Sequence, residues 1–244
     1  DLKMVREGMP AYLMLMEGMV EALPANEQLL INTARAYSSF ASVFVEEKDP
    51  EHAALLYSKA RMYSIKALRT RGLPDPLNTR VDTLREDLAR LGKKDVPYLF
   101  WAAASWGNWI RLNLNSMEAL AELPKVELMM KRALELDEGF YYGGPHLFMG
   151  IRLASRSALA GGNLAKAQQH FLRALELGQG KFLMAYVYYA NYYARQAQDK
   201  ELFISILQTV LNTPADISSD LTLLNTVARE KAKDLLDRQE EYFD

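Results

Sequence analysis

The sequence predicts an all-α protein built as an array of helical hairpins, and three observations carry the prediction. Apolar residues recur at helical spacing in runs of about 12–25 residues. Glycine and proline punctuate those runs, at Pro24, Pro50, Gly72-Leu73-Pro74, Pro97, Pro124, Gly143-Gly144-Pro145, Gly161-Gly162, Gly178 and Pro214. One apolar spacing, four residues and then three, returns along the chain. No alternating run bounded by hairpin turns competes with these signals.

The first run carries Met4, Met9, Met14, Met16 and Met19. It reads as a packed first helix or as an adaptable apolar surface for a partner or an oily ligand. From Leu29 a second helix continues through Ser42–Val45, a stretch that is β-like only in isolation. DPEHAALLYSKARMYSIKAL then places Ala53, Tyr57 and Ala60 at the four-then-three spacing. Residues 75–96 insert an amphipathic helix. YLFWAAASWGNWIRL, residues 98–112, follows as the first helix of a second hairpin, with a loop Asn113–Pro124 expected after it. Val126, Met130 and Ala133 repeat the spacing in LPKVELMMKRALEL. Gly143-Gly144-Pro145 turns into a helix with His146 near its start and Arg152 two turns on. Ala167, Phe171 and Ala174 repeat the spacing in GGNLAKAQQHFLRALELGQGK, and Phe203, Leu207 and Val210 do so in DKELFISILQTVL. Charge alternation in Leu221–Glu241 predicts an exposed terminal helix capping the array.

The segment at 163–177 resembles the second helix of a tetratricopeptide repeat, where small residues let paired helices approach and an aromatic fills the gap. Tetratricopeptide units repeat about every 34 residues. Equivalent positions here stand 73, 41 and 36 residues apart. The expectation is therefore a single helical-repeat domain, 1–244. It holds about four degenerate hairpins plus extra helices, an insertion at 75–96 and a cap at 220–242. Such an array curves and forms a concave groove; the fold alone does not name what the groove binds.

Composition excludes several functions. With 244 residues and a net charge of −2, the chain carries no electrostatic footprint for nucleic acid, and its basic residues are scattered. The longest nearly apolar run, Tyr98–Ile110, is broken by Ser105, Gly107 and Asn108 and falls short of the roughly 20 residues that span a bilayer. There is no cysteine, which excludes disulfides, thiolate metal sites and cysteine nucleophiles. The chain starts Asp1-Leu2-Lys3, as after removal of a leader. His52, His146 and His170 are assigned to different hairpins, and none has metal-ligand spacing. There is no phosphate loop and no nucleophile elbow. The acid pairs Glu46-Glu47 and Asp137-Glu138 read as solvated charge at helix ends. No enzyme, catalytic residue, metal or cofactor is expected.

Two aromatic concentrations remain. Trp101, Trp106 and Trp109 lie within nine positions, and on a helix they fall on different faces from Ala103, Gly107 and Ile110. They read as interhelical core or as the rings of a cavity. Asn108 argues for a wet wall, since a buried unpaired amide costs about 1–3 kcal/mol. Arg111 ends either there or at the surface. In AYVYYANYYARQ, Tyr186, Tyr189 and Tyr193 share one face of a straight helix, as repeat packing or as a cavity wall of phenols. His146 and Arg152 complete the candidate set.

Taken together, REGMPAYLMLMEGMVEALPANEQLL, ARAYSSFASVFVEE, YSKARMYSIKAL, LFWAAASWGNWI, LPKVELMMKRALELDEGFYYGGPHLFMG and GGNLAKAQQHFLRALELGQGKFLMAYVYYANYYARQAQDKELF resemble the T component of tripartite ATP-independent periplasmic (TRAP) transporters. The likeness runs from about Arg6 to Val210, and the Trp-Ala-Ala-Ala-Ser-Trp-Gly and Gly-Gly-Pro-His-Leu-Phe-Met-Gly stretches are its most specific parts. The resemblance implies a periplasmic helical-repeat protein, lipid-anchored ahead of its mature domain and assembled as a homotrimer with apolar cavities or tunnels. It implies association with the substrate-binding P component and handover of a small, hydrophobic organic ligand. It brings no catalytic motif. The competing expectation is a tetratricopeptide-like interaction scaffold with no small-molecule ligand.

Overall fold

The computed structural model describes residues 2–243. Among them lie eleven α-helices and no strand, as the punctuated helical periodicity predicts. The chain packs as two compact units, Asp1–Asp137 and Glu138–Asp244.

In the first unit, α1 (Leu2–Ala22) lays Leu13, Met16 and Val20 against α2 (Glu27–Phe40). Asn26 caps α2 by accepting from the Leu29 amide. The chain stays helical through Ser42–Val45, but Ala41–Val45 is a π-helical turn in which the Glu46 amide reaches back to the Ala41 carbonyl. The next helix, α3 (Pro50–Thr70), has Asp49 as its cap and Pro50 in the first turn, where a missing N–H costs nothing. The insertion holds α4 (Val81–Ala89), which buries Leu84 and Leu88. Helices α5 (Val96–Leu112) and α6 (Met117–Leu136) form the next hairpin. The expected loop to Pro124 is a correction: α6 starts eight residues earlier, at Met117, behind a Ser116 cap, and Pro124 sits inside it. A capped start and a deeply buried stripe outweigh the one backbone bond that proline removes. Arg132 on α6 donates to the carbonyls of Leu88, Ala89 and Leu91, closing the end of α4.

The second unit begins with α7 (Phe140–Ala154) and α8 (Leu164–Leu177), packed as a hairpin. The Gly-Gly-Pro turn is sharper than its sequence announces. Tyr141, Tyr142 and Gly143 are all left-handed, at φ 49°, 58° and 76°. A Cβ on Gly143 would stand 2.9 Å from the Ala174 Cα, so backbone meets backbone there. The chain continues through α9 (Leu183–Tyr188), a second π-helical turn at Tyr189–Ala194, α10 (Lys200–Asn212) and α11 (Thr222–Asp237). On α11, Asn225 is fully buried. It accepts from the Leu183 amide and donates to the carbonyls of Lys181 and Ala215, tying down the start of α9.

The recurring spacing marks the core. Ala53, Tyr57, Ala60, Val126, Met130, Ala133, Ala167, Phe171, Ala174, Phe203, Leu207 and Val210 are all completely inaccessible to solvent. Each triad lies on the second helix of a hairpin. The two π-helical turns are a correspondence the spacing does not reveal. Each ends the first helix of a hairpin and leads, through a short turn, to an aspartate cap, Asp49 on α3 and Asp199 on α10.

Candidate functional site

Helix α5 sorts its rings. Trp106 is fully buried and Trp101 nearly so, while Trp109, Asn108 and Arg111 are half-buried. Ala102 and Ala103 are also fully inaccessible, as small residues at a close helix contact should be. Ser105 is buried beside them and donates to the Trp101 carbonyl at 2.6 Å. Arg61 of α3 lies over the Trp109 ring at 4.1 Å and near that of Trp106 at 5.7 Å. Glu122 of α6 accepts from the Trp106 indole N–H at 2.6 Å and from Arg61 at 3.1 Å. Burial lowers the Arg61 pKa, and the Glu122 charge opposes that shift. Trp101 and Trp106 therefore pack the core. Trp109 is the ring that combines partial exposure with a stacked cation.

Arg111 is anchored beside this face. It pairs with Glu46 at 2.7 Å, and the Tyr57 hydroxyl donates to the other Glu46 oxygen at 2.6 Å. Glu46 follows the first π-helical turn directly. The reading of Glu46 as merely solvated charge is thus corrected: the turn delivers it to an arginine and a phenol. Neither Arg61 nor Glu122 stood out in the sequence, because each is an ordinary charge on a helix until the hairpins close.

In the second unit the tyrosines divide likewise. Tyr189 is buried and stacks on Phe171 with ring centroids 5.5 Å apart. Its hydroxyl accepts from Gln168 at 3.2 Å, and burial raises its pKa. Tyr193 lies 5.2 Å from Tyr189, ring to ring, and is half-buried, as is Tyr186. Tyr189 to Tyr193 lie on the second π-helical turn, whose coil is wider than a regular helix.

The histidines supply the second correction. His146 and His170 stand on the two helices of one hairpin, α7 and α8, with their Nδ1 atoms 2.8 Å apart. His146 Nε2 lies 3.0 Å from Glu138, and Arg173 holds Glu138 through both carboxylate oxygens. Arg173, and after it His146, pull the Glu138 pKa down to about 2. Burial, reinforced by His146, lowers that of His170. Two ring nitrogens facing each other need one bare lone pair, so the contact holds one proton between two rings. Glu138, expected to be solvated, orients the pair. Arg152, two turns along α7 from His146, is half-buried. Among the described residues no group of three or more histidines and acids is arranged to hold a metal ion.

Among the described residues, no helix is long and apolar enough to cross a membrane. A search of curated proteins finds no match to the chain. The sequence profile of the TRAP transporter T-component family matches residues 1–243. That match takes in the tryptophan helix and the Gly-Gly-Pro turn, and it agrees with the helical architecture: the chain belongs to the TRAP transporter T-component family.

Proposed function

We propose that this accessory component of TRAP transport works outside the cytoplasm. In this reading it binds the substrate-binding P component and helps hand over a small hydrophobic organic ligand, as a tetratricopeptide-like homotrimer held near the membrane by a lipid anchor. Beyond family membership, the observation that carries the reading is the half-buried face of α5. There Trp109, with Arg61 stacked on it, adjoins Asn108 and Arg111. An apolar plate edged by an amide and fixed cations suits an organic ligand with an apolar body and a polar end. Tyr186 and Tyr193 offer similar ring-and-hydroxyl surfaces in the second unit.

Native mass spectrometry on protein purified from its own host, with extraction of bound lipids and a pull-down of the P component, tests this. The expected result is a retained apolar molecule that is lost in Trp109→Ala, while capture of the P component persists. Clean ligand-free protein that still captures the P component would overturn the handover reading and leave an interaction scaffold.

A further inference from the structure

Glu138 and His146 stand on either side of a sharp bend. Between them Tyr141, Tyr142 and Gly143 are left-handed in succession. That backbone state costs side-chain-bearing residues energy and persists only where surrounding contacts impose it. The two flanking side chains close over the bend, with His146 Nε2 3.0 Å from the Glu138 carboxylate. Helix α8 grips both of them. It holds His146 through His170, with the Nδ1 atoms 2.8 Å apart, and Glu138 through Arg173. At the bend, Tyr141 and Tyr142 set their rings 5.9 and 5.5 Å from that of Phe182, the residue just before α9. The strained turn is thus held by a clasp whose two central members titrate.

We infer that His146 and His170 form a proton-operated clasp: the second proton the pair takes up opens the bend and parts Tyr141 and Tyr142 from Phe182. The proton count decides which step matters. With Glu138 ionised, His146 donates Nε2–H to it, and one proton lies between the two Nδ1 atoms. A first added proton goes to the outer Nε2 of His170 and leaves that contact intact. A second sets two N–H groups head to head, and two cations then face each other with no lone pair between them. The surroundings do not rescue the doubly charged pair. Glu138 is already shared between His146 and Arg173. Helix α8 carries Lys166 one turn before His170, and Arg173 after it, which also holds Glu176. Arg152 stands two turns along α7. The π-helical turn packed on both helices brings the Tyr189 phenol, bonded to Gln168, and α9 brings the phenols Tyr186 and Tyr188. Burial, and then the His146 charge, holds the His170 pKa below its ordinary value, while Arg173, and then His146, holds that of Glu138 at about 2. The carboxylate stays charged as the pair loads. Opening therefore falls below the usual histidine range and above the pH at which Glu138 protonates. The inference goes beyond the handover reading and does not depend on it.

Hydrogen exchange through the second unit, corrected for the intrinsic effect of pH, is followed from about pH 7.5 to about pH 4.5. Ring-nitrogen NMR counts the protons on the two imidazoles over the same range. On the unaltered chain the first proton should leave the turn protected. The second should lower the protection of residues 139–149 at least about tenfold relative to α10. His170→Asn places an amide where Nδ1 stood; it can accept from His146 or donate to it, and it takes up no proton. With circular dichroism to check its fold, this variant should stay protected at both ends of the range. Protection that survives the second proton would overturn the inference. So would a loss shared equally by α10 and α11, or one that persists undiminished in His170→Asn.

Discussion

Gly143→Ala tests the contact on which the second unit turns. Gly143 sits at φ 76°, and an added Cβ would lie 2.9 Å from the Ala174 Cα and 3.3 Å from the Ala174 carbonyl oxygen. The left-handed conformation costs an alanine about 1–2 kcal/mol. The contact is with backbone of a packed helix, which cannot swing aside, so relief requires α7 and α8 to separate. Overpacking of that kind costs about 1–3 kcal/mol. Reduced freedom of the unfolded chain returns roughly 0.4–1 kcal/mol. The net expectation is a loss of about 2–4 kcal/mol. Gly161→Ala is the control. It is also left-handed, at φ 84°, but faces open space, so it carries the strain without the collision. Urea unfolding followed by circular dichroism should place the Gly143→Ala midpoint well below that of Gly161→Ala, with similar slopes. Equal midpoints would refute the argument that α7 and α8 meet backbone to backbone.

Asn225→Ala strips partners from the Leu183 amide and the Lys181 carbonyl at the start of α9 and from the Ala215 carbonyl that follows α10. It should cost roughly 2–4 kcal/mol, read as a lowered urea midpoint, and amide exchange at Leu183 should quicken. His170 makes the fold sensitive to pH. Its folded pKa lies below the usual value, so in mild acid the unfolded chain binds a proton that the folded chain refuses. Stability should therefore fall as pH drops below about 6.5, until the depressed folded value is passed. His170→Gln should flatten that limb in urea midpoints measured between pH 5 and 7.5; an unchanged slope would count against the paired geometry. Glu138 acts in a separate window. With its pKa drawn down to about 2, its contribution is intact above the ordinary carboxylate range and is lost as pH falls toward that value.

The fold was legible where burial depends on local periodicity. Ala167-Phe171-Ala174 and its three counterparts announce a core stripe because a helix repeats every 3.6 residues whatever its neighbours, and all twelve residues are buried. The caps Asn26, Asp49, Ser116, Asn163 and Asp199 came to light only in the structure, although each acts within one turn of chain. Pro124 misled because a breaker is only a local penalty, and tertiary burial of Val126, Met129, Met130 and Ala133 exceeds it. The site was half legible. The tryptophans and tyrosines were visible as rings, but which of them face solvent depends on where α3, α6 and α8 pack.

By itself, then, the sequence determined the helical class, the buried triads, the turn at Gly143 and the family, because these rest on short-range periodicity and on side-chain identity. Only the tertiary structure decided that Trp106 is core while Trp109 holds Arg61. It alone decided that Glu46 answers Arg111, and that His146 and His170 share a proton under the hold of Glu138 and Arg173. Those partners stand between 24 and 65 residues apart, apart from the local step from Glu138 to His146. A charge on a helix face has no preferred partner until packing brings another helix alongside, and the two π-helical turns shift the phase in a way that no regular spacing encodes.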